Sequence, residues 1–347
     1  MTASLLDLGW RPSDVDADRL HHHPHSRPAR VTQQQRGAWL VHDGSEEVLA
    51  RARGAVLDPA PVTGDWLLVS GDARTTCYVD EVLPRRSTLS RAEAGGRSQE
   101  QVIAANVDVV GICAPADDVN ERRLERELTA VWASGAVPLV IITKADAVDD
   151  PKAVATAAAV VCIGADVVAT STVSGEGLDG VRDRLGPGVT LALIGPSGVG
   201  KSSLVNALAG HEVLATQATR QDGKGRHTTT GRHLVPLAGV GLLLDTPGMR
   251  EFAPWFADEG LGGTFADIDE LAASCRFADC RHDSEPGCAV LTVAAGDAEI
   301  GARVESWRKL QRELAWLERR QDARLRQEER RQWIIRERAM RRSIRST

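Results

Sequence analysis

Eight consecutive residues, Gly195-Pro196-Ser197-Gly198-Val199-Gly200-Lys201-Ser202, satisfy the pattern GxxxxGK[ST]. Glycines at these positions let backbone N–H groups wrap phosphate oxygens. A helix opening at Lys201 and running through Ser203 would add its positive N-terminal end. Lys201 is placed to reach the β- and γ-phosphates of a nucleotide, and the Ser202 hydroxyl to ligate Mg²⁺. Further along, Asp245-Thr246-Pro247-Gly248 follows the apolar run GVGLLL. An acidic residue at a strand's end suits a water-bridged contact to the same ion, and the Gly248 amide can touch a γ-phosphate.

A second set of residues suits a purine base. Thr143-Lys144-Ala145-Asp146 closes another apolar run, VPLVIIT, in the form TKxD. The Asp146 carboxylate can accept hydrogen bonds from guanine N1–H and the 2-amino group together. Adenine lacks that pair of donors and would leave the carboxylate unpaired, so discrimination follows. The Lys144 stem can pack along the base, and Ser171, Val173 and Ser174 in the next loop, STVSG, can cover it. The base loops precede the phosphate loops, the reverse of the usual nucleotide-switch order. That arrangement predicts a circular permutation, which leaves the sheet intact because packing sets strand neighbours while chain order only decides which ends are joined. Between the two phosphate segments lies GKGRHTTTGR (223–232), where a Thr is expected to bind Mg²⁺ in the triphosphate state. Thr229 is the choice here, with Thr228 and Thr230 left open. Met249 stands where conventional small GTPases carry a water-positioning Gln, and His227 is the nearest polar substitute.

Cys275-x4-Cys280-x-His282-x5-Cys288 supplies three thiolates and an imidazole, the make-up of a closed, tetrahedral Cys₃His zinc site with no open position for catalysis. Pro286 and Gly287 provide the bend that returns Cys288 to the metal. So short a segment lacks a substantial core, so metal binding is expected to fold it. Cys77, Cys113 and Cys162 lie singly in apolar runs and read as inert core thiols. Clustered thiols in a reducing compartment favour a metal over a disulfide.

At 347 residues the chain has room for two or three domains. Residues 1–29, with HHHPH at 21–25, read as a flexible N-terminal arm. Over 30–104, short β runs (RVTQQQRGAWLVHDG, EVLARARGAVL, VTGDWLLVS, TTCYVDEVLP) are separated by turns, which predicts a small barrel. A five-stranded OB-type barrel matches in size, though periodicity does not separate it from another small β fold. Over 105–254, continuous apolar runs such as VDVVGICAP alternate with amphipathic stretches such as ERRLERELTAVWASG. This is the pattern of a parallel α/β sheet. The remainder, 255–347, holds the cysteine cluster and a long helical stretch with Trp307, Leu310, Leu314 and Leu317 on one stripe. Over 318–347, eleven arginines stand against five acids, a local charge of +6 in a chain of −6 overall. Such an end suits an anionic partner such as RNA. No apolar run approaches the roughly 20 residues needed to cross a bilayer, and the N-terminus lacks the features of a secretory signal, which places the protein in the cytoplasm.

In motif order and cysteine pattern the chain resembles the ribosome-small-subunit-dependent GTPases, bacterial assembly factors, over about residues 30–310. The resemblance implies a multidomain fold: an OB barrel, a circularly permuted P-loop GTPase domain and a C-terminal zinc domain. It also implies GTP hydrolysis coupled to late maturation of the small ribosomal subunit, with His227 handling the attacking water beside Lys201 and Thr229. Loss of the Gln further suggests slow intrinsic turnover that a partner accelerates. GTP and GDP, Mg²⁺, one structural zinc ion and ribosomal RNA are the expected ligands, with no membrane, and the chain is expected to be a monomer. Trp39, Trp66 and Tyr78 offer few stacking platforms, so the barrel is expected to use backbone and shape contacts. Three rivals are a P-loop ATPase or kinase, which TKAD and STVSG oppose, an RNA-binding module with a vestigial nucleotide site, and a permuted GTPase acting on the large subunit.

Overall fold

The computed structural model describes residues 4–14, 17–54, 57–71, 76–92, 100–214, 232–245, 259–312 and 315. Five strands form the first module: β1 (Arg27–Gln35), β2 (Ala38–His42), β3 (Glu47–Ala52), β4 (Trp66–Ser70) and β5 (Cys77–Val82). They pair in the order β1-β2-β3-β5-β4, and β4 returns to β1, which closes the barrel. All contacts are antiparallel except β3 with β5. This is the OB-type barrel expected. Alternation explains the strands: in β3, Val48 and Ala50 turn inward with Val31, Val41, Leu67, Val69 and Cys77. Strand β4 departs from alternation and is buried throughout, because its second face, Trp66 and Leu68, joins the core of the next module.

The barrel stops short of residue 104. Among the described residues, strands β6 (Thr88–Ala92) and β7 (Glu100–Ala105) form a separate two-stranded sheet, while Leu89, Ile103 and Ala104 pack into the core of the α/β unit. The expected flexible arm also needs correcting over its described part. Leu8 is buried, and Trp10 meets Trp66 edge-on at 4.8 Å. The cause is Arg30, wholly buried, whose guanidinium donates to the carbonyls of Leu8, Gly64 and Asn106. A buried cation needs several acceptors, and three chain segments are drawn together to supply them.

The α/β unit runs β8 (Val109–Pro115), α2 (Glu121–Ala133), β9 (Val137–Thr143), α3 (Pro151–Val161), β10 (Asp166–Ala169), α4 (Leu178–Arg182), β11 (Thr190–Ile194), α5 (Lys201–Ala209), β12 (His233–Leu237) and β13 (Gly241–Asp245); α1 is Ala17–His22. Local signals start the helices: Asn120 caps α2, and Asp150 caps α3 ahead of Pro151. Spatial order is β10-β9-β8-β11-β13-β12, parallel but for β12 against β13. Although β11 comes late in the chain it lies mid-sheet, between β8 and β13. Apolar clusters cover both faces, which is why β8, β9 and β11 read as unbroken apolar runs.

The last module comprises α6 (Glu259–Thr264), α7 (Ala266–Ala272), α8 (Ala289–Gly296) and helical residues 298–312. Trp307 and Leu310 are buried with Phe265, Ile268 and Cys288, as half of the predicted stripe; Leu314 and Leu317 lie outside the described residues. Helix α6 presses onto α2 through glycine. A Cβ at Gly260 would stand 2.1 Å from the Thr129 carbonyl, and one at Gly263 would stand 2.8 Å from the Trp132 ring. Among the described residues no helix is long and apolar enough to cross a membrane.

Candidate functional site

The phosphate-type loop leaves β11 and enters α5. Gly195, Gly198 and Gly200 have φ of 137°, 78° and 104°, a region that side chains rarely adopt. At Gly195 a Cβ would also meet the Cys113 carbonyl at 2.6 Å, so only glycine fits. Buried Val199 anchors the loop in the core, while Ser197 and Gly198 are exposed and Pro196, Ser202 and Ser203 half-buried. Lys201 Nζ donates to the carbonyls of Gly195 and Pro196 at 2.7 Å each, which holds its ammonium over the loop.

The base-side residues arrive at the same place. Thr143 ends β9, is buried, and its Oγ1 lies 2.6 Å from the Val199 carbonyl and 3.3 Å from that of Ala114. Sequence alone groups Thr143 with the base loop. In the fold its hydroxyl braces the phosphate loop against β9. Lys144 takes the left-handed conformation (φ 56°), and Ala145 N–H donates to the Thr170 carbonyl. Exposed Asp146 accepts from Ser171 Oγ at 2.5 Å, and that oxygen accepts from the amides of Val173 and Ser174. The TKAD and STVSG loops are thus one hydrogen-bonded unit, with Val173 82% exposed above it.

Asp245 ends β13 beside β11 and pairs across the ladder with His233. Burial raises its pKa, and the neighbouring His233 opposes that rise. His227, Thr229 with its alternatives Thr228 and Thr230, and Gly248 lie outside the described residues. Sequence reading missed one pair. Arg123 Nε donates to Glu127 at 2.9 Å and its Nη2 reaches the Cys113 carbonyl, directly behind Gly195. Burial lifts the Glu127 pKa, against the pull of Arg123 and Lys201. An Arg and a Glu four apart on a helix read as a solvated surface pair, so nothing in the sequence marked them.

The ligand atoms of Cys275, Cys280, His282 and Cys288 all lie within 4.8 Å of one another. For tetrahedral coordination with metal–sulfur bonds of about 2.3 Å, two sulfurs stand about 3.8 Å apart and sulfur to nitrogen about 3.6 Å. Here Cys275 and Cys288 sulfurs are 3.8 Å apart, and His282 Nδ1 lies 3.6 Å and 3.3 Å from them. The donor set therefore fits a metal ion. Surrounding groups hold it in that shape. Ala289 N–H donates to Cys275 Sγ and Leu291 N–H to Cys288 Sγ, and the His282 ring packs on Trp307. Burial works against the Cys275 thiolate, but hydrogen bonds from the amides of Val290 and Ala289 and with the Cys288 and Cys280 side chains together bring its pKa below the ordinary thiol value.

A closed five-stranded barrel, a P-loop sheet whose strands β8 to β10 precede the loop in the chain, and a helical module with a Cys₃His cluster together define a circularly permuted GTPase with flanking domains. The family model for the RsgA GTPase matches residues 82–255. A small ribosomal subunit biogenesis GTPase RsgA from Streptomyces coelicolor is 42% identical over 349 residues, covering 95% of this chain and 92% of that protein. RsgA 1 of Oceanobacillus iheyensis is 41% identical over 316 residues, covering 88% and 90% respectively. Among solved structures, YjeQ from Thermotoga maritima superposes with a TM-score of 0.63 at 23% identity, over 84% of this chain and 99% of that one. YloQ, described as a circularly permuted GTPase, superposes at 0.61 with 26% identity, over 85% and 97%. The chain belongs to the RsgA GTPase family.

Proposed function

We propose that this protein binds GTP with Mg²⁺ across the joined loops, hydrolyses it, and thereby enters and leaves the small ribosomal subunit late in that subunit's maturation. The observation that carries the nucleotide reading is the 2.6 Å hydrogen bond from Thr143 to Val199, which locks the base-side strand to the phosphate loop. Lys201, released from its two carbonyls, turns to the β- and γ-phosphates. Asp146, oriented by Ser171, reads the guanine edge while Lys144, Val173 and Ser174 cover the ring. Amides of Gly195 to Ser203 cradle the phosphates, and the Gly248 amide meets the γ-phosphate. Held by Ser202, Thr229 and, through water, Asp245, Mg²⁺ would neutralise charge developing on the phosphates. His227 positions the attacking water in place of the missing Gln. The Cys₃His set is suited to one structural zinc ion, since three thiolates and an imidazole leave no open position. The barrel and the Arg-rich end grip ribosomal RNA through salt-sensitive backbone contacts, and the protein works as a cytoplasmic monomer.

The relatives' shared description as small ribosomal subunit biogenesis GTPases supports that choice of partner. The test is GTP turnover alone, with purified small subunits and with purified large subunits, repeated for His227→Ala. Small subunits alone should stimulate, and His227→Ala should lower the stimulated rate by about 10²-fold or more. Equal stimulation by large subunits removes the assigned partner, and an unchanged variant removes His227 from its role.

A further inference from the structure

Aromatic residues make up 4% of this chain, and folding hides most of those described. In the barrel Trp66 is buried and the Trp39 indole N–H donates to the Pro61 carbonyl. Among the described residues the exposed rings are Tyr78, 40% accessible, and Phe277, 42% accessible. A lone exposed ring needs no explanation, but these two share an unusual setting. Each carries an arginine: Arg53 lies 5.0 Å from the Tyr78 centroid and Arg276 lies 5.4 Å from that of Phe277. Each also sits on a module flanking the nucleotide sheet.

Both pairs are held in place. Tyr78 stands on β5 directly beside Arg51 of β3, and Arg53 is pinned by its bond to Ser70 Oγ at 2.8 Å and by Asp80 at 3.5 Å. Phe277 lies between two members of the metal set, Cys275 and Cys280, and the Arg276 amide donates to the Gly287 carbonyl. A guanidinium over a ring covers one face of it, so each pair presents a base with the planar guanidinium or the ring's remaining face, and the neighbouring phosphate with a cation, as in sequence-tolerant binding of unpaired nucleotides.

We propose that Tyr78 with Arg53 and Phe277 with Arg276 are two base-stacking platforms for unpaired nucleotides of an RNA, one on each flanking module. This rests on the RNA-partner reading above and names the residues that would serve it. The test uses the zinc-loaded full chain and a short single-stranded RNA carrying 2-aminopurine, whose fluorescence is quenched on stacking, with a duplex of matched length as control. Tyr78→Ala and Phe277→Ala should each weaken single-strand binding and quenching about 5- to 100-fold, with duplex binding unchanged. Phe277→Trp should retain binding, whereas Phe277→Leu, which keeps apolar bulk without a π face, should lose as much as Ala. Zinc content and unstimulated GTP turnover report that the variants are folded. The proposal is overturned if the Ala variants bind single strands as the parent does, or if Leu rescues, since the surface then meets a protein. Turnover of the parent chain with small subunits reports separately on the partner: stimulation without any platform effect sinks the platforms alone.

Discussion

Replacing Arg303 by Met should loosen the C-terminal module from the nucleotide sheet. Arg303 is 3% exposed and pairs with two carboxylates, Glu125 of α2 at 3.3 Å and Asp267 of α7 at 2.7 Å. It also donates to the carbonyls of Val161 and Thr264, so four segments converge on one guanidinium. Met keeps the stem's volume beside Phe265 but leaves Glu125, 4% exposed, without its cation. Breaking a buried pair from one side costs about 3–5 kcal/mol, mostly the desolvation of the charge left behind. The pH dependence makes the reasoning specific. Burial already raises the Glu125 pKa, with Ser306 and Arg303 pulling it down, so removing Arg303 raises it further. Below the unfolded value near 4.5, Glu125 is protonated in both states and costs nothing as a charge. As pH climbs from there to the raised folded value, stability is lost at about 1.4 kcal/mol for each pH step of one. The deficit of the variant should therefore be largest near pH 8 and shrink toward pH 5, and adding Glu125→Gln should recover part of it and flatten the pH dependence. Urea unfolding followed by tryptophan fluorescence, with hydrogen exchange over 121–133, measures both. A loss under about 1 kcal/mol, or one equal at pH 5 and pH 8, would refute the argument.

Gly195→Ala should cripple nucleotide binding, at least tenfold in GTP affinity by titration, because the new methyl meets the Cys113 carbonyl at 2.6 Å in a backbone conformation alanine resists. Parent-like affinity would mean that the loop is not held against β8 as described. Cys288→Ser removes a buried sulfur that also caps α8 by accepting from Leu291 N–H. Metal analysis should find substoichiometric metal, and proteolysis should cut within 275–297; full metal content with parent-like protection would take Cys288 out of the ligand set.

Much of this molecule was legible in one dimension. The glycines of GPSGVGKS, the unbroken apolar runs and the spacing of three cysteines and a histidine are local signals, each dictated by backbone conformation, two-sided burial or coordination chemistry acting within a few residues. The swapped motif order likewise told that the sheet is re-joined. What the chain alone did not disclose depends on meetings between distant segments. Arg30 looks like one more surface arginine until Leu8, Gly64 and Asn106 present their carbonyls to it. That contact turns part of an expected loose arm into packed structure. Strands β6 and β7 carried a barrel-like pattern but found their apolar partners on the α/β unit. Thr143 reads as part of a base motif, yet its hydroxyl faces Val199, a neighbour set only by folding. Short-range stereochemistry is written into residue types, and so the motifs, the strands and the clustering of three cysteines and a histidine were determined by sequence. Which buried polar group meets which acceptor depends on how the elements pack, and only the tertiary structure decided that.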